Sequence, residues 1–210
     1  MMTKKIILAS QSPRRSEILK KAKYDFVSFP THVSEIPDKN LNTDQQIIDI
    51  ARRKAKACAE IFKSPKHDHG LVGVDVARDL ILSADTMVCN LDQILGKPET
   101  EAMASNFLKS LSGKTHEVKT AVYLIDLANM EETSLIETTG VTFKTLSDDD
   151  IWTYIKTGEP MDRAGAYAIQ GLGGKFVSGF VGDYDNVVGL PLHAIEKVFK
   201  IKGWTLKRLD

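Results

Sequence analysis

The stretch Ile6-Ile7-Leu8-Ala9-Ser10-Gln11-Ser12-Pro13-Arg14-Arg15 constrains this chain more than any other feature. A short apolar run gives way to small polar residues, a proline and two adjacent arginines. The helix-forming run Ser16-Glu17-Ile18-Leu19-Lys20 follows. That order predicts strand, tight loop and helix, with Ser12 as N-cap and Pro13 at the first helical position. The arginines oppose local stability, because a helix N-terminus carries positive partial charge and favours anions. Breaks of a local rule concentrate at functional sites. An anion between the arginines would resolve the conflict: free N–H groups, a serine hydroxyl and two guanidinium forks make a phosphate cradle. Two solvated surface arginines are the alternative, and the stretch alone leaves both open.

Downstream, strand and helix signals alternate. Phe26 to Phe29 reads as a short strand, and residues 31–42 as a polar loop containing Glu35. Thr43 and Gln46 have capping-box spacing, opening a helix to about Phe62. Residues 64–78, rich in Gly, His and charge, read as a loop or insertion. Leu80 to Ala84 is a buried strand ending at Asp85-Thr86, with Met87 to Cys89 as an optional continuation. A turn precedes Leu95-Gly96-Lys97-Pro98. A helix is expected over Glu101 to Leu111, stopped by Gly113 at C′. His116 to Leu127 and Leu135 to Thr145 form a hairpin pattern around Asn129. Ser147 caps a helix from Ile151 to about Lys156, with acids in its first turn. Gly165 to Gln170 reads as a strand, Gly171 to Gly174 as a turn, Lys175 to Val181 as the return strand, and Gly182 to Asn186 as a loop. Pro191 opens a last helix, and Trp204 packs the C-terminus. The mixture predicts an α/β protein with a mixed, partly antiparallel sheet.

The length of 210 residues suits one domain or two small lobes around a cleft. Lysine plus arginine equals aspartate plus glutamate, 28 each, which argues against a nonspecific nucleic-acid or membrane binder. The apolar run at Ile6 to Ala9 is too short for a signal peptide, and no segment approaches a membrane span. Cys58 and Cys89 have neither metal-type spacing nor a disulfide framework. An intracellular protein with reduced thiols is expected.

Some residue positions invite chemistry. Lys54 lies in the helix from Thr43, about 20° from Ile47 inside the apolar stripe. It either snorkels to water or serves a buried anion, while Arg53 and Lys56 point elsewhere and read as solvated. Asp85 sits where an apolar strand ends, the place where α/β folds open their ligand crevice, and can ligate Mg²⁺ or activate water. A turn-capping aspartate is the plainer reading. Glu35, Asp183 and Asp185 could join Asp85 around a divalent metal. Gln170 can donate and accept, which suits reading a base edge. The Gly171 to Gly174 run is not a dinucleotide fingerprint, and no Walker A lysine or nucleophile elbow occurs. His32, His67, His69, His116 and His193 lack metal or triad spacing.

Taken together, these pieces resemble the Maf-like nucleoside triphosphate pyrophosphatases. The matching motifs are Ala9-Ser10-Gln11-Ser12-Pro13-Arg14-Arg15, Glu35, Ala51-Arg52-Arg53-Lys54-Ala55, Ser83-Ala84-Asp85-Thr86, Gly96-Lys97-Pro98, Ser112-Gly113-Lys114-Thr115-His116, Gly165-Ala166-Tyr167-Ala168-Ile169-Gln170-Gly171 and Asn186-Val187-Val188-Gly189-Leu190-Pro191-Leu192. They run in order over nearly the whole chain. The resemblance implies one Maf-like domain over residues 1–210. Its fold would be an elongated mixed β-sheet flanked by helices, with two lobes around a deep nucleotide-binding cleft, as in inosine triphosphate pyrophosphatase-like folds.

The resemblance also implies hydrolysis between the α and β phosphates, giving a nucleoside monophosphate and pyrophosphate. Asp85 would accept the proton from water, with Glu35, Lys54 and Lys97 as its catalytic companions. Glu35 and Asp85 would place a divalent cation, Mg²⁺ or Mn²⁺. Ser10, Ser12, Arg14, Arg15, Lys54 and Lys97 would hold the triphosphate. Arg14, Thr86 and Gln170 match the branch that acts on dTTP and UTP. A 7-methyl-GTP or broad noncanonical nucleotide pyrophosphatase, or a nucleotide-sensing division regulator without turnover, are the rivals. A homodimer is compatible with the resemblance, and so is a cytoplasmic location, with the nucleus not excluded. No nucleic-acid or membrane partner is implied. Residues 64–78 are longer and more polar than the usual link into the aspartate strand.

Overall fold

The computed structural model of the chain describes residues 3–63, 73–91 and 93–209. In chain order the elements are β1 (Ile6–Leu8), α1 (Pro13–Lys21), β2 (Phe26–Ser28), α2 (Thr43–Lys63), β3 (Leu80–Asn90), β4 (Gln93–Leu95), α3 (Glu101–Leu111), β5 (Thr115–Asp126), β6 (Glu131–Phe143), α4 (Asp148–Ile155), β7 (Val177–Val181), α5 (Tyr184–Val188) and α6 (Leu192–Ile201). Among the described residues seven strands make one mixed sheet, ordered β2-β1-β3-β5-β6-β7, with β4 paired to β3. β1 runs parallel to both β2 and β3, placing Ile6 opposite Phe26 and Leu80. β4 pairs antiparallel with β3, and β7 with β6. The α/β class with a mixed sheet and helices is the one expected from the sequence. No described helix is long and apolar enough to cross a membrane.

The chain divides into two compact units: Met1–Asp85, Ala121–Ile136 and Gly189–Asp210 in the first, Thr86–Thr120 and Glu137–Val188 in the second. In the first unit β1 and the start of β3 are buried at every residue, the continuous apolar pattern of parallel strands covered on both faces. α2 contributes Ile47, Ile50, Ala51, Ala55, Cys58 and Ala59 as one buried face, and α6 contributes Ile195 and Phe199. Trp204 meets Phe199 with ring centroids 6.3 Å apart, so it does pack the C-terminal segment. The second unit has its own core, in which Phe107 and Leu108 of α3, Phe143 of β6, Tyr154 of α4, Tyr167 and Phe176 come together.

Four local expectations change, and one open choice is decided. Ser12 precedes α1 with Pro13 at N1 as expected, but its side chain makes no capping bond. The box opening α2 is Asn42–Gln45 rather than Thr43–Gln46. Asn42 Oδ1 accepts from the Gln45 N–H at 2.9 Å, and Gln45 Oε1 accepts from the Asn42 N–H at 3.2 Å. Asparagine is the stronger cap. The optional continuation of β3 through Met87 to Cys89 is the one adopted: those residues are buried and the strand runs to Asn90. Residues 165–170 are not a strand: turns of 3₁₀ helix span Glu159–Asp162, Ala164–Ala166 and Leu172–Phe176. Gly165 adopts φ +67°, and a Cβ there would collide with Val88. The 182–186 loop is mostly the short helix α5, entered through Asp183 Oδ1, which accepts from the Asp185 N–H at 2.8 Å. Residues 64–72 of the anticipated insertion, including His67 and His69, lie outside the described residues.

Candidate active site

In the first unit, five of the singled-out side chains form one connected cluster. β1 ends at Leu8, and the chain turns through Ala9 and Ser10 into α1. Ser10 is buried, and its Oγ accepts from the Ser12 N–H and from the Arg15 guanidinium, both at 3.1 Å. Arg15 is buried as well, and its Nε donates to the Gly189 carbonyl at 2.8 Å. Burial lowers the Arg15 pKa, and the neighbouring positive charge of Arg14 adds to this, while the carboxylates of Asp85 and Glu35 act the other way. Arg15 is therefore not a solvated surface arginine, and Arg14 is half-buried next to it in sequence. The first turn of α1 carries no acid, so nothing there offsets the positive end of its dipole or the two arginines it carries.

Lys54 resolves its two alternatives in favour of an anion. It is only 7% exposed, and its Nζ lies 2.7 Å from Asp85 Oδ1 and 2.6 Å from Glu35 Oε1. β3 delivers Asp85 and α2 delivers Lys54. The buried Ser83 hydroxyl donates to the Ala51 carbonyl at 2.7 Å and ties those two elements together just beside the pair. Glu35 arrives from an irregular loop, and Arg53 holds that loop. Its guanidinium donates to the carbonyls of Ser34 and Ile36, on either side of Glu35, while its Nε donates to Asp49 at 2.9 Å. The expectation that Arg53 is merely solvated is therefore corrected.

Desolvation dominates at Asp85 and raises its pKa above the ordinary aspartate value, with Glu35 adding to the rise. Lys54 and Arg15 oppose that shift. A carboxylate in this state is a stronger base than a solvated aspartate, and the adjacent cations favour its ionised form. Among the described residues no group of three or more His, Cys, Asp or Glu side chains gathers as a metal site. Asp183 and Asp185 belong to the entry of α5 in the second unit.

The remaining candidates belong to the second unit. Lys97 is exposed and pairs with Asp162 at 2.8 Å. Thr86 Oγ1 lies 2.9 Å from Thr120 Oγ1, and Thr120 donates to the Asn186 carbonyl at 3.0 Å. Thr120 has a single hydroxyl proton, so Thr86 is the donor in their bond. Gln170 occupies an exposed turn rather than a strand end. His116 is buried against Phe143 and Tyr167, with Nε2 2.8 Å from the tyrosine oxygen. Burial pushes its pKa down to about 4.

Residues 5–201 match the family described as Maf-like protein. The chain belongs to that family. It is 50% identical over 193 residues to a protein named dTTP/UTP pyrophosphatase from Bdellovibrio bacteriovorus, covering 92% of this chain and 96% of the relative. Proteins of the same name from Caldicellulosiruptor saccharolyticus and Koribacter versatilis are 40% and 42% identical. Their alignments cover 98% and 94% of this chain, and the same shares of each relative.

Sequence reasoning missed Arg53, Ser83 and Thr120 of this Maf-like chain as residues that hold the candidates in place. Only Ser83 left a signal, as a polar residue inside an apolar strand. Arg53 and Thr120 act through carbonyls and hydroxyls distant in sequence, which residue spacing does not reveal.

Proposed function

We propose that this chain hydrolyses dTTP and UTP at the bond between the α and β phosphates, releasing the nucleoside monophosphate and pyrophosphate. The names of its relatives support the activity. The buried Lys54 with carboxylates on both sides is the single observation that carries it to particular residues. A triphosphate bears about four negative charges, so cations must converge on it. Arg14, Arg15, Lys54 and Lys97 supply them. Ser10 accepts from two donors and offers its own proton to a phosphate oxygen, with Ser12 on the same loop. Asp85 takes a proton from the attacking water as the new oxygen–phosphorus bond forms at the α phosphate. The bond to the bridging oxygen breaks, and pyrophosphate leaves with the electron pair. No side chain needs to form a covalent intermediate.

The residues present fit a divalent cation. Two carboxylates already converge on one positive charge, and Mg²⁺ binds through one or two carboxylates together with phosphate oxygens. Glu35 and Asp85 would hold Mg²⁺ or Mn²⁺, which when bound neutralises charge on the phosphates. Thr86 and Gln170 read the base. Because Thr86 donates to Thr120, it meets a base as an acceptor, which suits the N3–H that uracil and thymine share and cytosine lacks. The cytoplasm, where nucleoside triphosphates and reduced thiols coexist, suits the free Cys58 and Cys89. A homodimer is compatible with this reading.

The test is an end-point assay over a panel of nucleoside triphosphates with Mg²⁺ or Mn²⁺, resolving pyrophosphate from orthophosphate. Pyrophosphate with UMP or dTMP is expected. Orthophosphate with a diphosphate, or binding of every nucleotide without turnover, would sink the proposal.

A further inference from the structure

Gln170 stands on a turn with little regular structure, so something other than a strand or helix must hold it. Its backbone neighbours are tied on both sides to one pair of side chains in the same unit. On the N-terminal side, the Ala168 backbone stabilises the Tyr154 oxygen electrostatically. On the C-terminal side, the N–H groups of Leu172 and Gly173 donate to the two oxygens of Glu159, each at 3.0 Å. Tyr154 in turn donates to Glu159 Oε1 at 2.7 Å, which closes the frame. The turn itself is closed by the Gly171 N–H on the Ala168 carbonyl at 3.1 Å.

The packing explains the composition of the turn. A Cβ at position 171 would overlap the Glu159 carboxylate, and one at position 173 would sit 2.6 Å from the Tyr154 hydroxyl. The backbone approaches the pair this closely only because both residues are glycine. The pair is itself well founded. Tyr154 is 1% exposed on α4, and Glu159 opens the 3₁₀ turn Glu159–Asp162 behind the left-handed Gly158. A carboxylate is the acceptor this arrangement demands. It receives three donors at once, whereas an amide in its place would turn an NH₂ toward a backbone N–H.

We propose that Glu159 is a positioning residue for base selection, acting on the nucleotide only through the turn that carries Gln170. This rests on the reading that Gln170 meets the base. Glu159 touches neither the phosphates nor the water, so its effect falls on discrimination between bases and on KM rather than on the chemical step.

The experiment compares wild type, Glu159→Gln, Gln170→Ala and the double variant, using steady-state kinetics on UTP and GTP with melting temperatures alongside. Gln170→Ala is expected to lower the UTP/GTP ratio of kcat/KM about tenfold, the upper end of what one hydrogen bond is worth. Glu159→Gln lowers that ratio about three- to tenfold, mainly through KM. In the double variant the ratio falls no further than in Gln170→Ala, because the two changes break one unit. Tyr154→Phe removes a single hydroxyl and shifts the ratio the same way by less, which guards against a folding defect in the glutamine variant. If Glu159→Gln loses melting temperature but keeps the ratio while Gln170→Ala changes it, Glu159 is structural and the inference is overturned. A ratio unchanged by Gln170→Ala removes the base-reading premise, and the inference with it.

Discussion

The cluster around Lys54 and the turn around Gln170 solve the problem of placing polar atoms in different ways. In the first unit the atoms project from regular elements, Asp85 from β3 and Lys54 from α2, and the side chains hold one another by charge. Glu35 comes from a loop, which Arg53 grips at both flanking carbonyls. In the second unit the polar group stands on irregular backbone, and the holding is done by main-chain N–H groups that donate to Glu159, which Tyr154 also hydrogen-bonds. The contrast teaches that charge concentrated on a rigid frame suits phosphate binding and proton transfer. An adjustable edge on a pinned turn suits discrimination between bases.

The largest effect expected from breaking this contrast comes from Asp85→Asn. Turnover should drop by about 10²–10⁴-fold, the span of general-base catalysis, while a nonhydrolysable pyrimidine nucleotide still binds. Turnover within threefold of wild type would remove Asp85 from the chemistry. Lys54→Met comes next. It leaves Asp85 without its ion-pair partner and should destabilise the fold by about 3 kcal/mol in denaturant unfolding, with Asp85→Asn on top restoring part of the loss. Additive losses in the double variant would show that the pair is not coupled.

Acid should act oppositely on Asp85 and on His116. Burial holds Asp85 above the ordinary aspartate pKa, so the base form is lost as pH falls through that raised value. The acid limb of kcat/KM on UTP should therefore lie above the usual carboxylate range, and a limb at about 4 or below would contradict this. For stability, this group penalises the folded state at neutral pH, and the penalty fades on acidification.

His116 in the second unit does the reverse. Its folded pKa of about 4 lies below its unfolded value, so the unfolded chain binds the extra proton and stability declines as pH drops from about 6.5 to 4. The loss amounts to about 3 kcal/mol and should be absent in His116→Phe, as measured by unfolding at several pH values. The smallest effect is expected for Arg53→Lys. Lysine lacks the fork that spans two carbonyls, so half-saturation in Mg²⁺ should rise about threefold with little change in melting temperature. An unchanged Mg²⁺ requirement would show that Glu35 keeps its place without the clamp.

How much of this was legible in the sequence follows the same contrast. α3 was readable over Glu101 to Leu111 because its helical pattern and Gly113 agree, and the structure adds Thr100 as its N-cap, accepting from the Met103 N–H. The loop from β1 into α1 was readable through Pro13 and its arginines. The position of Lys54 in an apolar stripe announced a choice but not its outcome, since Asp85 lies 31 residues away. The segment Gly165 to Gln170 was misread as a strand. Its apolar run from Ala166 to Ile169 fits a strand, but what decides its path is a left-handed Gly165 against Val88 and the grip of Glu159 on the following turn. Both are tertiary contacts, and local propensity carries no record of them.

The central claim is that water attacks the α phosphate under the control of the first-unit cluster. Hydrolysis of UTP in heavy-oxygen water, with mass spectrometry of both products, tests it most directly. The account predicts one heavy oxygen in UMP and none in pyrophosphate. Label in pyrophosphate would place the attack at the β phosphate and contradict the assignment of Asp85.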